Sequence, residues 1–362
     1  MIPKFESPIP MSKTRLTILI LVLVLIFLIP FNHFLFFPVS VFRGLELKPD
    51  GRLLSRVIEE ESKKKDRLDV LFLARSSMQS AINAVELETR LSTEKRKIKI
   101  FIAGIRIGDT YSALRILETF LQNRKIGSVI MSDDFLFTPP QLFSALIFRK
   151  EDLTSVDSKM NLFEKLELYR ARILAAPILL RELILPISIS PKPKGEKQIE
   201  SYVQNRGTIY EAGQLFKDQK TPNRVLSKLH GKPLTYSELL KQDPSEGDYV
   251  QYIDNNYSMY FFKQIIRIAN ENEAKLYLLR DIRYNRPSGQ GVVFFHPEGE
   301  YAKFNKQFEG NLSVSMERLF EGVDAKDVSW YFSSIPHLNL AGNRLFTDAI
   351  APVIKEVIEE AD

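Results

Sequence analysis

Residues 68–77 read LDVLFLARSS, and this stretch specifies the first unit of the fold. Its first six residues form a mostly apolar run, which is typical of a strand buried on both faces of a sheet. The residues from Ala74 to Ser77 then lead into a pattern that predicts a helix over 78–91. A strand that runs directly into a helix is the opening unit of an α/β fold, and it places two serines at the carboxyl end of the strand.

The same alternation of strand and helix continues along the chain. The patterns predict further strands over 99–103, 127–131 and 275–279, and further helices over 52–65, 109–122, 255–272 and 340–360. Strands that alternate with helices predict a parallel sheet with right-handed crossovers. The middle of the chain differs, because 140–190 is helical and rich in Leu, Arg and Ile, whereas 191–250 carries Pro, Gly, Lys and Gln with weak periodicity. We interpret 140–250 as an insertion that covers one end of the sheet.

The amino-acid composition argues against several classes of function. The chain has 362 residues, is 44% hydrophobic and 26% charged, and carries a net charge of only +5 with its basic residues dispersed. A nucleic-acid-binding surface needs a basic stripe, so nucleic acid is not an expected partner. The absence of cysteine excludes disulfides, a thiol nucleophile and thiolate metal sites. The glycine-rich phosphate loops are also absent. His296 lies near two carboxylates without a second histidine at ligand spacing, so we expect neither a metal nor a cofactor.

The N-terminal region predicts a single membrane anchor. Residues 16–37 read LTILILVLVLIFLIPFNHFLFF and contain no charge, which is long enough to cross a hydrocarbon core of about 30 Å. Lys13 and Arg15 precede the run, so the positive-inside rule puts residues 1–15 in the cytoplasm and the rest outside. The alternative is a cleaved signal peptide, but its apolar core would be shorter and would end at small residues. We therefore expect a linker and helix over 38–65 and an extracytoplasmic domain over 66–362.

Three polar stretches are candidates for a functional site: two follow predicted strands, and the third precedes the last predicted helix. Each has a functional interpretation and a structural one. Ser76 is placed to expose its hydroxyl at the end of the first strand, or it is a helix N-cap. Gly104 and Gly108 let backbone N–H groups approach a substrate, or they are turn glycines beside an N-capping Asp109. His337, just before the last helix, is a catalytic base or an ordinary loop histidine.

Together these stretches resemble three of the sequence blocks of the SGNH/GDSL hydrolase superfamily. LFLARSSMQSAI is similar to the first block, with Ser76 in the nucleophile position. FIAGIRIGDTYSALRILETFL is similar to the second block, in which a glycine N–H holds the oxyanion; Gly108 fits best and Gly104 next. SSIPHLNLAGNRLFT is similar to the last block, Asp-x-x-His-Leu-Asn-x-x-Gly, with His337 as the base. The resemblance implies a three-layer, flavodoxin-like sandwich around a parallel sheet.

The resemblance also implies a function. The anchor and the layout of the blocks are similar to bacterial envelope acyl-transfer proteins, such as the D-alanine transfer protein and the alginate acetylases. A serine esterase or O-acyltransferase that acts on an acylated envelope glycan or lipid is therefore expected, together with a membrane partner in acyl transfer. The N–H groups of Ser76 and Gly108 would hold the oxyanion. Arg280, Arg283 and Asn339 are the candidate substrate-binding residues, although arginines at such positions also form surface ion pairs.

The sequence departs from the family pattern at the position of the triad aspartate, which is Ser334. A serine hydroxyl can orient the histidine but cannot neutralise the imidazolium that forms during catalysis. Ala74 also replaces the usual glycine of the first block, and the asparagine of the third oxyanion block has no clear counterpart. Three hypotheses therefore stay open: a Ser76–His337 enzyme, an inactive SGNH fold that binds glycan or a partner, and an envelope structural protein without this chemistry.

Within the enzyme hypothesis, two arrangements are open. In the first, Ser76 and His337 act as a slow dyad, with Ser334 orienting the histidine. In the second, a carboxylate from elsewhere replaces the aspartate; the candidates are Asp133, Asp134, Asp324 and Asp327.

Overall fold

A five-stranded parallel sheet forms the centre of the computed structural model. The structure describes residues 40–46, 51–105, 108–184, 256–279, 311–312, 332–334, 337–338 and 340–361. The sheet strands are β1 (Leu68–Ala74), β2 (Ile100–Gly104), β3 (Ile126–Ser132), β4 (Lys275–Leu279) and β5 (Asn311–Leu312). Their order is β2-β1-β3-β4-β5, one of the two common doubly wound orders, and every neighbouring pair is parallel. The predicted α/β class with a parallel sheet is confirmed.

The strands are continuous apolar runs because both faces of the sheet are covered. All residues of β1, β2 and β3 are buried. Alternate side chains enter two separate cores: Leu71 packs in one and Phe72 in the other. Asp69 is the polar exception in β1, and its carboxylate accepts hydrogen bonds from the Lys99 N–H (2.8 Å) and the Arg96 guanidinium (2.9 Å). A buried carboxylate with two such donors is tolerated in a strand.

Helices cover both faces, which gives three layers. The described helices are α1 (Val41–Glu46), α2 (Gly51–Ser62), α3 (Ser76–Ala81), α4 (Ala84–Leu91), α5 (Thr110–Leu121), α6 (Leu142–Ile147), α7 (Lys150–Asp157), α8 (Leu162–Ile184), α9 (Asn256–Glu271) and α10 (Leu340–Glu360). One core contains side chains from α2, α5, α6, α8 and α9, and the other contains side chains from α3, α4 and α10. A short hairpin, β6 (Phe332–Ser334) and β7 (His337–Leu338), precedes α10.

The predicted continuous helix over 78–91 is wrong. The chain forms two helices, α3 and α4, and the break falls at Ile82 and Asn83. Asn83 caps the second helix, because its side-chain oxygen accepts a hydrogen bond from the Glu86 N–H at 3.1 Å. The apolar pattern continues across the break since Ile82 is fully buried, and for this reason periodicity alone does not reveal it.

Part of the predicted insertion belongs to the main core. Helices α6, α7 and α8 fall within 140–184, and their buried residues Phe143, Val156 and Ala175 share one core with α5 and α9. The remaining residues of the predicted insertion, 185–250, lie outside the described part.

Helix α2 contacts the chain just before β3. The Arg124 guanidinium donates to the carboxylate of Glu61 (2.6 Å) and to the backbone oxygen of Asp66 (2.8 Å), and both Arg124 and Glu61 are buried. These two hydrogen bonds hold the end of α2 against the chain just before β3.

The predicted membrane anchor, 16–37, lies outside the described residues. Of the helices within the described ranges, none combines the length and the apolar character needed to span a bilayer.

Candidate functional site

The serine helix, α3 (Ser76–Ala81), begins immediately after β1 at the carboxyl end of the sheet. Arg75 occupies the N-cap position, and Ser76 is the first helical residue. The interpretation of Ser76 as a helix N-cap is therefore wrong. The N-cap is the residue just before the first helical residue, and Arg75 occupies that position. Doubly wound sheets place their functional groups at this edge, next to the point where the strand order reverses. That point lies between β1 and β3, where Ser76 follows β1.

Arg75 links the start of the serine helix to the chain that follows β3. Its guanidinium lies 3.3 Å from the carboxylate of Asp134 and donates to the Thr138 hydroxyl at 2.8 Å. Asp134 is buried, whereas the Arg75 side chain is 26% exposed, so the pair lies at the edge of the core. The charge of Asp134, one of the candidate replacement carboxylates, is thus already engaged by Arg75. No role was assigned to Arg75 from the sequence. The signal was available, because Arg75 follows β1 and Asp134 follows β3, and opposite charges after neighbouring parallel strands can form an ion pair.

Gly104, the last residue of β2, lies under the serine helix. A Cβ atom at position 104 would lie 1.9 Å from Cδ of Gln79, a buried residue of α3. Gly104 therefore allows the serine helix to pack closely on the end of β2. This packing is sufficient to explain a glycine at this position.

Gly108 is likewise buried and tightly packed. A Cβ atom there would lie 2.4 Å from Cγ2 of Ile105 and 2.7 Å from the Ser112 hydroxyl oxygen. Ser112 belongs to the first turn of α5, so Gly108 leaves room for the cap of that helix. Close packing accounts for both candidate oxyanion glycines, and the role of their N–H groups remains a prediction.

Asp109 is the N-cap of α5, as one of the two sequence interpretations expected. One carboxylate oxygen accepts from the Ser112 N–H (3.0 Å) and from the Ser144 hydroxyl, and the other accepts from the Gln141 N–H (2.8 Å) and the Tyr257 hydroxyl (3.1 Å). Complete burial raises the pKa of the Asp109 carboxyl, and these hydrogen bonds partly offset the shift. Asp109 thus joins α5, α6 and α9 in the layer that covers one face of the sheet.

Strand β7 and helix α10 of the C-terminal region both pack on the serine helix. Strand β7, His337–Leu338, contacts α3, and Leu338 is buried in the same core as Met78. Within the hairpin, Ser334 pairs directly with His337 in the antiparallel register. The structure describes the backbone of Ser76, Ser334 and His337 and not their side chains.

Two polar side chains of α10 fix this packing. The Asn343 amide donates to the backbone oxygen of Ser80 at 2.8 Å, and the Thr347 hydroxyl accepts from the Asn83 N–H at 2.9 Å. Asn343 and Thr347 are both fully buried. Sequence reasoning assigned Asn343 and Thr347 no role, although polar residues four apart on the buried face of a helix are a recognisable signal.

Several candidate residues lie outside the described part of the chain. These are Arg280, Arg283, Asn339, Asp324, Asp327 and His296. Within the described ranges, no cluster of His, Asp or Glu side chains is arranged to hold a metal ion.

Comparison with known proteins leaves the family open. No model of a protein family matches the chain, and no curated protein matches it.

Proposed function

We propose that this protein is a membrane-anchored, SGNH-like serine esterase or O-acyltransferase that acts on an acylated cell-envelope glycan or lipid. The observation that carries the proposal is the contact between β7, which begins at His337, and the helix that begins at Ser76. Ser–His chemistry requires these two segments to lie together, and the packing of β7 on α3 brings them together. The strand order and the position of Ser76 after β1 further support an SGNH-type sandwich.

The proposed reaction is acyl transfer through the Ser76 hydroxyl. His337 accepts the proton of the hydroxyl as the Ser76 oxygen bonds to the acyl carbon. His337 then gives this proton to the departing alcohol, which leaves an acyl-enzyme. Water or a glycan hydroxyl attacks the acyl-enzyme and loses its proton to His337. His337 returns this proton to the Ser76 oxygen as the acyl group leaves, which restores the free enzyme. The N–H groups of Ser76 and of Gly108 or Gly104 hold the oxyanion in both steps.

The second candidate function is a catalytically inactive module that binds glycan or a partner in an acyl-transfer complex. Two observations favour it. Ser334 stands in the position of the triad aspartate, and Asp134 is already paired with Arg75. Without a carboxylate beside the histidine, the imidazolium gains no charge stabilisation.

Labelling with a fluorophosphonate distinguishes the two functions. We expect the probe to label the folded wild-type protein, Ser76→Ala to abolish labelling and His337→Ala to reduce it strongly. Ser77→Ala is the matched control, since it removes the adjacent hydroxyl, and this variant should still be labelled. A folded wild-type protein that resists the probe at high concentration would support the binding module instead.

A further inference from the structure

The chain enters the folded domain at Ser40, just before helix α1. Helix α1 packs on α6: a Cβ atom at Gly44 would lie 2.3 Å from Cγ2 of Ile147 and 3.2 Å from Cε2 of Phe143. Val41, the residue that follows the entry point, is buried in the same core as Phe143. The entry point is therefore held on the domain by packing.

Helix α6 lies at the carboxyl edge of the sheet, which is the edge where the strands end and the serine helix begins. The Gln141 N–H and the Ser144 hydroxyl, at the start of α6, both donate to Asp109, which caps α5 shortly after the end of β2. The backbone oxygen of Ile147, at the end of α6, lies 3.5 Å from the hydroxyl of Tyr111 in the first turn of α5. Helix α1 therefore joins the domain at the edge that carries the candidate site.

Helix α2 leads the chain away from this edge. In its first half, the Ser55 hydroxyl donates to the backbone oxygen of Phe42 in α1 at 2.7 Å. Near its end, Glu61 accepts a hydrogen bond from Arg124, which lies two residues before β3 and so at the opposite, amino edge of the sheet. Helix α2 thus runs from the carboxyl edge to the amino edge, and the entry point lies at its carboxyl-edge end.

The distance between the predicted membrane span and the domain limits how the domain can be oriented. The span ends at residue 37, three residues before Ser40, so the two are at most about 11 Å apart. Strand β1 has seven residues and extends about 23 Å from the amino edge to the carboxyl edge. If the amino edge faced the bilayer, Ser40 would lie about 23 Å from the bilayer, which is about twice the reach of the connecting residues.

We propose that the carboxyl edge, which carries Ser76 and β7, is the part of the domain nearest to the bilayer, and that the acyl substrate is held by the membrane. The substrate class is then a lipid or a glycan attached to lipid, and not a glycan free in solution. A molecule of this class keeps its acyl group close to the bilayer surface, where a site at the carboxyl edge meets it. The inference rests on the anchor and the chemistry of the proposed function, and it narrows the substrate of that same site.

Helix α9 offers a matched pair of positions for a test. Its first turn lies at the carboxyl edge, because the Tyr257 hydroxyl donates to Asp109 at 3.1 Å, and its last turn lies at the amino edge, just before β4. Asn256 and Glu271 are both exposed, and about 22 Å of helix separates them. The chain has no cysteine, so Asn256→Cys and Glu271→Cys each give the full-length protein a single labelling position.

Each variant is labelled with fluorescein maleimide and reconstituted into vesicles of phosphatidylcholine and phosphatidylglycerol that contain a little rhodamine-labelled phosphatidylethanolamine. We expect stronger energy transfer to the rhodamine lipid from position 256 than from position 271. Equal transfer from the two positions, or stronger transfer from 271, would overturn the proposed orientation. Carbonate extraction is applied to the same vesicles, and a protein that carbonate extracts has lost both the anchor and the inference.

A longer connection to the membrane provides the control. Insertion of a flexible glycine–serine segment of about 20 residues after Pro38 removes the limit on the distance between the span and Ser40. The difference in energy transfer between positions 256 and 271 should then diminish. A difference that persists unchanged would show that the short connection does not set the orientation.

Two fluorophosphonates test the substrate class on the reconstituted protein. One carries a long alkyl chain and enters the membrane, and the other carries a charged, water-soluble group. We expect the alkyl probe to label Ser76 faster than the soluble probe, and the glycine–serine insertion to reduce this preference. Faster labelling by the soluble probe would overturn the membrane-held substrate and leave the serine chemistry intact. Labelling by neither probe removes the chemistry together with the substrate class, whereas energy transfer still decides the orientation.

Discussion

The hydroxyl oxygen of Thr347 accepts a hydrogen bond from the backbone N–H of Asn83 at 2.9 Å, although 264 residues separate them in sequence. Asn83 lies at the break between α3 and α4, where a backbone N–H lacks a partner within a helix. One turn earlier in α10, Asn343 donates to the Ser80 carbonyl, which lies at the end of the serine helix. Helix α10 thus supplies hydrogen-bond partners for two backbone groups, the Asn83 N–H and the Ser80 carbonyl. Strand β7 directly precedes α10, so the same packing places β7 against α3.

Substitution of Thr347 by valine tests this relationship. Valine keeps the shape of the side chain but removes the acceptor, which leaves the buried Asn83 N–H unsatisfied. We expect the free energy of unfolding to fall by about 1–3 kcal/mol, measured by urea denaturation. Thr89→Val is the matched control on an exposed position of α4 and should cost less than about 0.5 kcal/mol. Equal costs for the two variants would mean that the Thr347–Asn83 bond adds nothing to stability.

A second prediction concerns the close packing of Gly104 and Gln79. Gly104→Ala should destabilise the protein by about 1–3 kcal/mol, because the new methyl group occupies the space of a buried side chain. Gln79→Ala opens that space, so the double variant should lose less stability than the two single variants added together. We expect a coupling free energy of about 0.5–3 kcal/mol in the double-mutant cycle. Additive losses would show that the cost of Gly104→Ala does not come from contact with Gln79.

The sheet was predictable from the sequence, whereas the contacts that assemble the site were not. Buried parallel strands are continuous apolar runs, and the runs containing Val70, Ile102 and Val129 each form a strand within one residue of the predicted bounds. The break at Asn83 is different, because its free backbone N–H is satisfied by Thr347 at the other end of the chain. Local periodicity contains no information about a partner 264 residues away.

The residues around Asp109 show the same division. Its N-cap role follows from a local pattern and is one of the two interpretations that the sequence offers. Its hydrogen bonds from Gln141, Ser144 and Tyr257 depend on how α6 and α9 pack on α5, and a single sequence does not specify this packing.

The buried carboxyl of Asp109 makes stability depend on pH. Burial raises its pKa in the folded protein, so the folded state binds a proton more tightly than the unfolded state does. This group therefore favours folding most at pH values below its unfolded pKa of about 4. The contribution declines as pH rises through the folded pKa, because a charged carboxylate must then be kept away from water. Asp109→Asn removes this titration.

We therefore expect Asp109→Asn to cost more stability at pH 4 than at pH 8. At both pH values the variant also loses about 1–3 kcal/mol of stability that does not depend on pH. The asparagine NH₂ group is a donor, and it would face two other donors: those of Gln141 and Tyr257, or those of Ser112 and Ser144. Tyr257→Phe is the control, since it removes one donor and keeps the carboxyl; its cost should be about 1 kcal/mol. Urea denaturation at both pH values measures these differences, and a cost of Asp109→Asn that is independent of pH would contradict the raised pKa.

The last prediction addresses Ser334, which pairs with His337 across the β6–β7 hairpin. If the protein is a Ser76–His337 enzyme that lacks only the third member of its triad, Ser334→Asp supplies the missing carboxylate three residues before the histidine. In a serine protease, loss of this carboxylate lowers the rate about 10⁴-fold. We expect Ser334→Asp to raise the rate of fluorophosphonate labelling by a factor between about 10 and 10⁴, since an acquired carboxylate seldom recovers the full effect.

Two control variants make this result specific. Ser333→Asp adds the same charge at the adjacent position and should leave the labelling rate within about twofold of wild type, because general electrostatic effects at the surface are small. The double variant Ser76→Ala, Ser334→Asp should not be labelled, because the gain must act through the nucleophile. Equal rates for Ser334→Asp and Ser333→Asp would mean that position 334 does not act on His337, and that the hairpin pairs the two residues without coupling their chemistry.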